Sequence, residues 1–445
     1  MWYNLKVSQA HAVKEEQFMH ETKNKEQVAI LVGIDSDNSG GTNISIDISM
    51  EELTELAATA GIKSAEKLTQ KRERPSPATY LGKGKLDELE HLVWQHEPTI
   101  LIFNDELTPA QFRNLSDRFD CNIIDRTLLI LDIFAMRANS AEGKLQVELA
   151  QLRYRMSRLS GMGKMLSRLG GGIGTRGPGE TKLETDRRHI RSRLHNLESE
   201  LKEIRKNRET MRKRREKQGA FQAALVGYTN AGKSSIMNLL ATGDGTGGVY
   251  VADKLFATLD TTVRRLELPG GAEILLSDTV GFIERLPHHL VKAFRATLEE
   301  LTYADVLIVV LDAASPHREQ HLHVVMSTLN ELDFNEKKFI LAFNKMDKDV
   351  EMPLPSNAKA ANIIEMSALT GMGKDSLLAA IEEVSNSNKT HLCVLIPYAD
   401  SKLVSYIHEN CEITEESHEE LGTYFELIVD DEHKNRLDAY KVIAV

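Results

Sequence analysis

Apolar residues gather in short runs along this chain, and their spacing changes from one region to the next. Val28–Ile34 is a continuous apolar run of strand length, and Thr99–Phe103 and Cys121–Ile124 are shorter runs of the same kind. Ser49-Met50-Glu51-Glu52 has the spacing of a capping box and predicts a helix through Ala60, stopped by Gly61. Thr108 predicts the cap of a helix that continues through Phe119. Residues 26–143 therefore read as a small α/β domain with a partly parallel sheet, behind a polar, patternless leader over residues 1–25.

From residue 144 the period changes. Leu145, Leu149, Leu152, Met156, Leu159, Gly163 and Leu166 fall at alternating spacings of four and three, as do Ile190, Leu194, Leu197, Leu201 and Ile204. That is the seam of helices that pack along one another. The run from Gly170 to Gly179 between them is too rich in glycine to continue a helix. Residues 144–217 thus predict a long antiparallel helical hairpin with a glycine-rich tip. Strands alternate with helices again over residues 220–386, most clearly at Phe221–Val226, Glu273–Asp278, Asp305–Asp312 and Lys338–Asn344. Residues 390–445 read as a small, βαβ-like C-terminal α/β domain, with strands at Leu392–Ile396 and Tyr424–Val429 and a helix near Lys402–Glu409. The whole is an α/β multidomain protein.

Bulk composition, 41% hydrophobic and 27% charged, supplies enough apolar surface for packed cores and argues against a disordered chain. Cys121, Cys393 and Cys411 lie far apart, outside any zinc-ligand or disulfide spacing. The N-terminus lacks a signal-peptide pattern and no apolar run is long enough to span a bilayer, so the sequence reads as cytoplasmic with no membrane span. The net charge of −11 argues at first against a polyanionic partner. Its distribution reverses that argument. Residues 144–217 hold 21 Lys and Arg against 9 Asp and Glu, a local +12, which leaves −23 on the remainder.

The most specific chemistry begins where the strand Phe221–Val226 runs into Gly227-Tyr228-Thr229-Asn230-Ala231-Gly232-Lys233-Ser234, with helix-compatible residues after it. This is GxxxxGKS in the strand–loop–helix setting it requires. Backbone N–H groups of such a loop point inward at phosphate oxygens, Lys233 reaches the β- and γ-phosphates, and the Ser234 hydroxyl suits Mg²⁺. Asp278-Thr279-Val280-Gly281 closes a second strand; Asp278 suits Mg²⁺ through a water, and the Gly281 amide suits a γ-phosphate sensor. Asn344-Lys345-Met346-Asp347 ends a third. The Asp347 carboxylate complements guanine N1–H and its exocyclic amine, which adenine cannot offer. Ser367-Ala368-Leu369 is placed to donate backbone N–H groups to guanine O6. Between loop and DxxG lies Phe256-Ala257-Thr258-Leu259-Asp260, followed by Thr261 and Thr262. A threonine here is expected to complete the Mg²⁺ shell and close over the γ-phosphate; Thr258 is preferred, with Thr261 and Thr262 as rivals. GTP is the expected substrate, with Lys233, Thr258 and Gly281 as the catalytic set.

Four motifs in this order resemble the translation-factor-related GTPases. The segments TNAGKS, FATLD and DTVGF, and the run Gly174–Glu184 continuing to Asp186-Arg187-Arg188, resemble the HflX family over nearly the whole chain. One departure is Thr261, where many members carry proline. Phe282 follows DxxG where many GTPases place a water-orienting glutamine, so either a partner accelerates a slow intrinsic hydrolysis or the phosphates and switch backbone order the water alone. The basic hairpin carries Arg176, Lys182, Arg187 and Arg188 around its tip. Its residues fit either a phosphate-reading RNA contact or a solvated coiled coil. The resemblance implies the former: binding to the large ribosomal subunit and its RNA, as a monomer, with GTP used to dissociate or rescue stalled or idle ribosomes. Two other readings are a GTP-gated protein-interaction module and an ATP-using RNA remodeller. The second rests only on Lys83-Gly84-Lys85, a run more typical of a turn.

Overall fold

The computed structural model describes residues 27–36, 45–159, 178–216, 221–241, 256, 262–284, 301–334, 336–348, 350, 359–387, 390–429 and 431–442. The leader, the glycine-rich tip with Arg176, and Ala257, Thr258, Leu259, Asp260 and Thr261 lie outside these residues.

The first sheet holds strands β1 (Gln27–Asp35), β2 (Ile62–Lys71), β3 (Ile100–Phe103) and β4 (Asn122–Asp125) in the order β2-β1-β3-β4, all parallel. β1 is apolar from Val28 to Ile34 because helices cover both of its faces. Ala29 and Leu31 point to helices α1 (Ile46–Thr59) and α4 (Arg126–Arg137), while Ile30 and Val32 point to α2 (Lys83–His96) and α3 (Pro109–Ser116). Thr108 is the expected cap of α3 and forms a capping box with Gln111, and the helix ends at Ser116 rather than at Phe119. α1, in contrast, starts earlier than its Ser-x-x-Glu spacing suggests. Ser45 is its cap, accepting from the Asp47 N–H, whereas Ser49 is buried and accepts from the Asn104 amide at 3.0 Å. The turn expected at Lys83-Gly84-Lys85 is the first turn of α2.

α5 (Ala141–Leu159) and the 39-residue α6 (Pro178–Glu216) pack along one another. Leu149, Leu194, Leu197 and Leu201 are buried in the seam, with Leu145, Leu152, Met156 and Ile190 around them. α5 is also fastened to the first sheet. Asp125 accepts from the Tyr154 hydroxyl (2.6 Å) and from Arg158 (2.5 Å), and it caps α4 through the Leu128 N–H.

The second sheet comprises β5 (Gln222–Gly227), β6 (Thr262–Glu267), β7 (Glu273–Asp278), β8 (Val306–Asp312), β9 (Lys338–Asn344) and β10 (Asn362–Glu365), ordered β10-β9-β8-β5-β7-β6. Only the edge strand β6 runs antiparallel to its neighbour. Helices α7 (Lys233–Leu240) and α9 (Lys374–Ser387) cover one face, and α8 (Arg318–Glu331) covers the other. The C-terminal residues form an antiparallel sheet, not the expected βαβ-like unit: β12 (Glu412–Glu419) makes a hairpin with β13 (Gly422–Val429), which returns antiparallel to β11 (Thr390–Pro397), in the order β11-β13-β12. α10 (Ser401–Asn410) and α11 (Asp431–Leu437) pack against it. Among the described residues no helix is long and apolar enough to cross a membrane.

Candidate functional site

The predicted motifs converge beyond the carboxyl ends of β5, β7, β9 and β10, where an open parallel sheet presents its ligand crevice. The loop from Gly227 to Ser234 turns tightly enough that Gly232 has φ +93°, and a Cβ there would meet the Asn344 side-chain nitrogen at 2.1 Å. Lys233 is buried, and its Nζ donates to the carbonyls of Tyr228 (2.8 Å) and Gly227 (3.2 Å). Burial pushes its pKa down to about 8, against the opposing pull of the Asp278 carboxylate. The site therefore holds a cation that gains from an incoming phosphate.

Ser234 donates from Oγ to Asp278 Oδ2 at 2.6 Å. Two hard oxygen donors this close, at a phosphate loop, fit a small divalent cation such as Mg²⁺. Thr279 is buried and donates to the Leu225 carbonyl at 2.6 Å, which fastens the DxxG turn to β5. Gly281 lies against the loop: a Cβ there would meet Thr229 Cα at 2.8 Å and Lys233 Nζ at 3.0 Å. The Thr229 hydroxyl beside it is buried without a hydrogen-bond partner among the described residues. Thr262 is the register partner of Asp278 across β6 and β7, and its hydroxyl is in the same condition.

At the base end, Asn344 donates to the Ala231 carbonyl (2.9 Å) and accepts from the Ala368 N–H (2.9 Å), so one side chain ties three motifs together. Asp347 accepts from the Ser367 hydroxyl at 2.5 Å, which lowers its pKa and aims the carboxylate. Lys345 has φ +68° and pairs with Asp312 at 2.8 Å, fixing the course of its stem. Met346 takes part through its backbone, donating to the Met366 carbonyl, and Leu369 is exposed.

Two predicted site residues turn away from the crevice. The Phe256 ring packs on Phe134 of the N-terminal domain, with ring centroids 4.6 Å apart, so only its backbone is left for a ligand. The Tyr228 ring stacks on His321 at 4.0 Å and its hydroxyl reaches Glu52 of α1. Val280 and Ile283 also belong to the core of the N-terminal sheet. No spacing in the sequence signals these contacts, because their partners lie far away along the chain.

Comparison with known proteins agrees with this geometry. Residues 47–135 match a family described as GTP-binding GTPase N-terminal, residues 137–215 one described as GTP-binding GTPase Middle Region, and residues 222–345 one described as 50S ribosome-binding GTPase. GTPase HflX of Caldanaerobacter subterraneus is 47% identical over 419 residues, 94% of this chain and 95% of that protein. The chain belongs to the HflX GTPase family. GTPase HflX of Lacrimispora saccharolytica is 44% identical, covering 93% of this chain and 96% of the relative. That of Escherichia coli is 41% identical, with 85% and 89% covered. A GTP-binding protein of Sulfolobus solfataricus in complex with GDP matches at TM-score 0.42 and 23% identity, over 81% of this chain and 99% of that one. As an HflX-family protein this chain is a P-loop enzyme that hydrolyses GTP.

The hairpin is less bare of partners than its composition suggests. Arg193 is held by Glu148 through two bonds of 2.7 and 2.8 Å, and Arg191 sits 3.6 Å from Glu184. Arg187 lies 4.0 Å from Glu184, and Arg188 is exposed. Lys182 falls on α6, near the tip.

Proposed function

We propose that this GTPase acts in the cytoplasm on the large ribosomal subunit, as a monomer, and uses GTP to dissociate or rescue stalled or idle ribosomes. The match of residues 222–345 to 50S ribosome-binding GTPases carries the reading. The +12 hairpin supports it by offering a local polyanion contact on an otherwise acidic protein. Arg176, Lys182, Arg187 and Arg188 would face rRNA phosphates.

In the nucleotide site, the loop amides and Lys233 bind the phosphates, and Asp347 with the backbone of Ser367–Leu369 selects guanine. Ser234, Asp278 through a water, and Thr258 would hold Mg²⁺. The ion neutralises charge on the β- and γ-phosphates when bound. Thr258 and Gly281 close on the γ-phosphate and so distinguish GTP from GDP. Phe282 is buried among Tyr228, Ala224 and Leu301, and brings no group that could orient water. Ribosome binding is therefore expected to complete the site and speed hydrolysis.

The test is GTP hydrolysis by the purified protein with and without large subunits, repeated with Arg176, Arg187 and Arg188 replaced by Gln. Strong stimulation that the triple variant abolishes supports the reading. Equal rates with and without subunits would refute the ribosomal partner and leave the GTPase intact.

A further inference from the structure

The first sheet and the nucleotide site meet at a buried polar cluster that the hydrolysis chemistry leaves unused. Arg126, at the start of α4, and Glu52, on α1, form an ion pair in which both side chains are almost wholly buried. Glu52 accepts a second hydrogen bond, from the Tyr228 hydroxyl of the phosphate loop. That hydroxyl in turn accepts from the Glu284 N–H at 3.0 Å, and Arg126 donates to the Glu284 carbonyl at 3.3 Å. One residue of the segment after DxxG is thus gripped through both its N–H and its C=O. The grip is anchored: Arg126 also donates to Asn104 Oδ1 (3.0 Å) and the Ser49 carbonyl (3.5 Å).

Glu284 lies three residues beyond Gly281, and the intervening backbone has little freedom. The Phe282 N–H donates to the Gly227 carbonyl (3.0 Å), and its carbonyl accepts from the Thr229 N–H (2.8 Å). Val280 and Ile283 are buried in the N-terminal core on either side. Moving Glu284 therefore moves the segment that presses Gly281 against Thr229 and Lys233. The Tyr228 hydroxyl is kept as a donor, since burial and the Glu52 carboxylate both raise its pKa. Its ring is fixed from the other side by the His321 stack.

We propose that Arg126 and Glu52 are positioning residues for GTP hydrolysis, which act through the Tyr228 hydroxyl and the Glu284 backbone to present the Gly281 amide to the γ-phosphate. The N-terminal domain then serves as a fixed wall for the segment that distinguishes GTP from GDP. The proposal rests on GTP hydrolysis by the isolated protein and is independent of the ribosomal partner.

The experiment compares the full-length wild type with Glu52→Gln, Arg126→Met and Tyr228→Phe. Single-turnover hydrolysis, the affinity ratio for a non-hydrolysable GTP analogue over GDP, and hydrogen exchange of amides 282–284 are measured well below the melting temperature. Each variant is expected to slow hydrolysis about fivefold or more. KM should change less than the rate, and amides 282–284 should exchange faster while those of β5 stay protected. The double variant Glu52→Gln/Tyr228→Phe is expected to match its worse single variant, because both break one contact. Arg126→Met strands a buried carboxylate and is the variant most exposed to misfolding. Tyr228→Phe removes one oxygen, keeps the stack on His321, and leaves the question answerable in that event. Hydrolysis that is unchanged or faster, with only the melting temperature lowered, would show the cluster to be interdomain packing and overturn the proposal.

Discussion

Asp347, proposed to read guanine, is oriented by its neighbours. The Ser367 hydroxyl fixes its orientation, and Asn344 joins the loop that carries Ser367 to the phosphate loop. Asp347→Asn replaces an acceptor pair by an amide, which no longer complements the guanine N1–H and amine but does complement the N1–H and exocyclic 2-oxo group of xanthine. The expected outcome is GTP binding weakened by roughly tenfold or more, with affinity for xanthosine triphosphate gained, measured by nucleotide competition. Lys233 sets a pH dependence. Its pKa of about 8 must rise when phosphate arrives, so nucleotide binding takes up a proton above that pH. Affinity is therefore expected to fall by up to about tenfold per pH unit between roughly pH 8 and the bound-state pKa, and to be flat below. A titration of nucleotide affinity from about pH 6.5 to about pH 9.5 checks the sign.

At the scale of elements, the sequence is clearest where burial is complete. β1, β8 and β9 are covered on both faces, so they read as uninterrupted apolar runs. The charged edge strands β2 and β12 are not legible. β2 reads IKSAEKLTQK and β12 reads EITEESHE, because an edge strand half in water tolerates charge. α4 is hidden for a different reason: a helix buried against a sheet and α5 is apolar nearly all round and lacks a clean helical period. The hairpin is legible because its seam repeats. Its central leucine, Leu197, is fully buried, so Leu197→Ala is expected to destabilise the α5–α6 packing by about 2–5 kcal/mol. Hydrogen exchange should then rise in α5 and α6 while the second sheet is unaffected.

The whole molecule sets a basic hairpin on an acidic body, and under the proposed function that arrangement would make binding to RNA depend on salt. Replacing Arg176, Arg187 and Arg188 by Gln is expected to reduce the slope of log affinity for ribosomal subunits against log salt by about 0.7 for each phosphate that these arginines neutralise. A slope unchanged by the triple variant would place the RNA-binding surface elsewhere. α5 passes any force on the hairpin into the first sheet through Asp125, Tyr154 and Arg158. Helices α1 and α4, packed on that sheet, grip Glu284 beside the nucleotide site. Hairpin and nucleotide site thus contact one packed unit from two sides.

The sequence by itself determined the chemistry of the nucleotide site. A phosphate loop, a carboxylate at a strand end and the NKxD tetrapeptide proposed to read guanine are each short, local and defined by residue types, so their spacing points to that chemistry without a structure. It also determined the hairpin, whose repeat is local too. Only the tertiary structure decided how the phosphate loop, the segment after DxxG and the N-terminal domain are joined. Glu52, Arg126, Tyr228 and Glu284 are scattered over the chain and share no pattern. Their meeting depends on the N-terminal core packing against the segment after DxxG, and the cost of leaving a buried charge unpaired then forces them into contact.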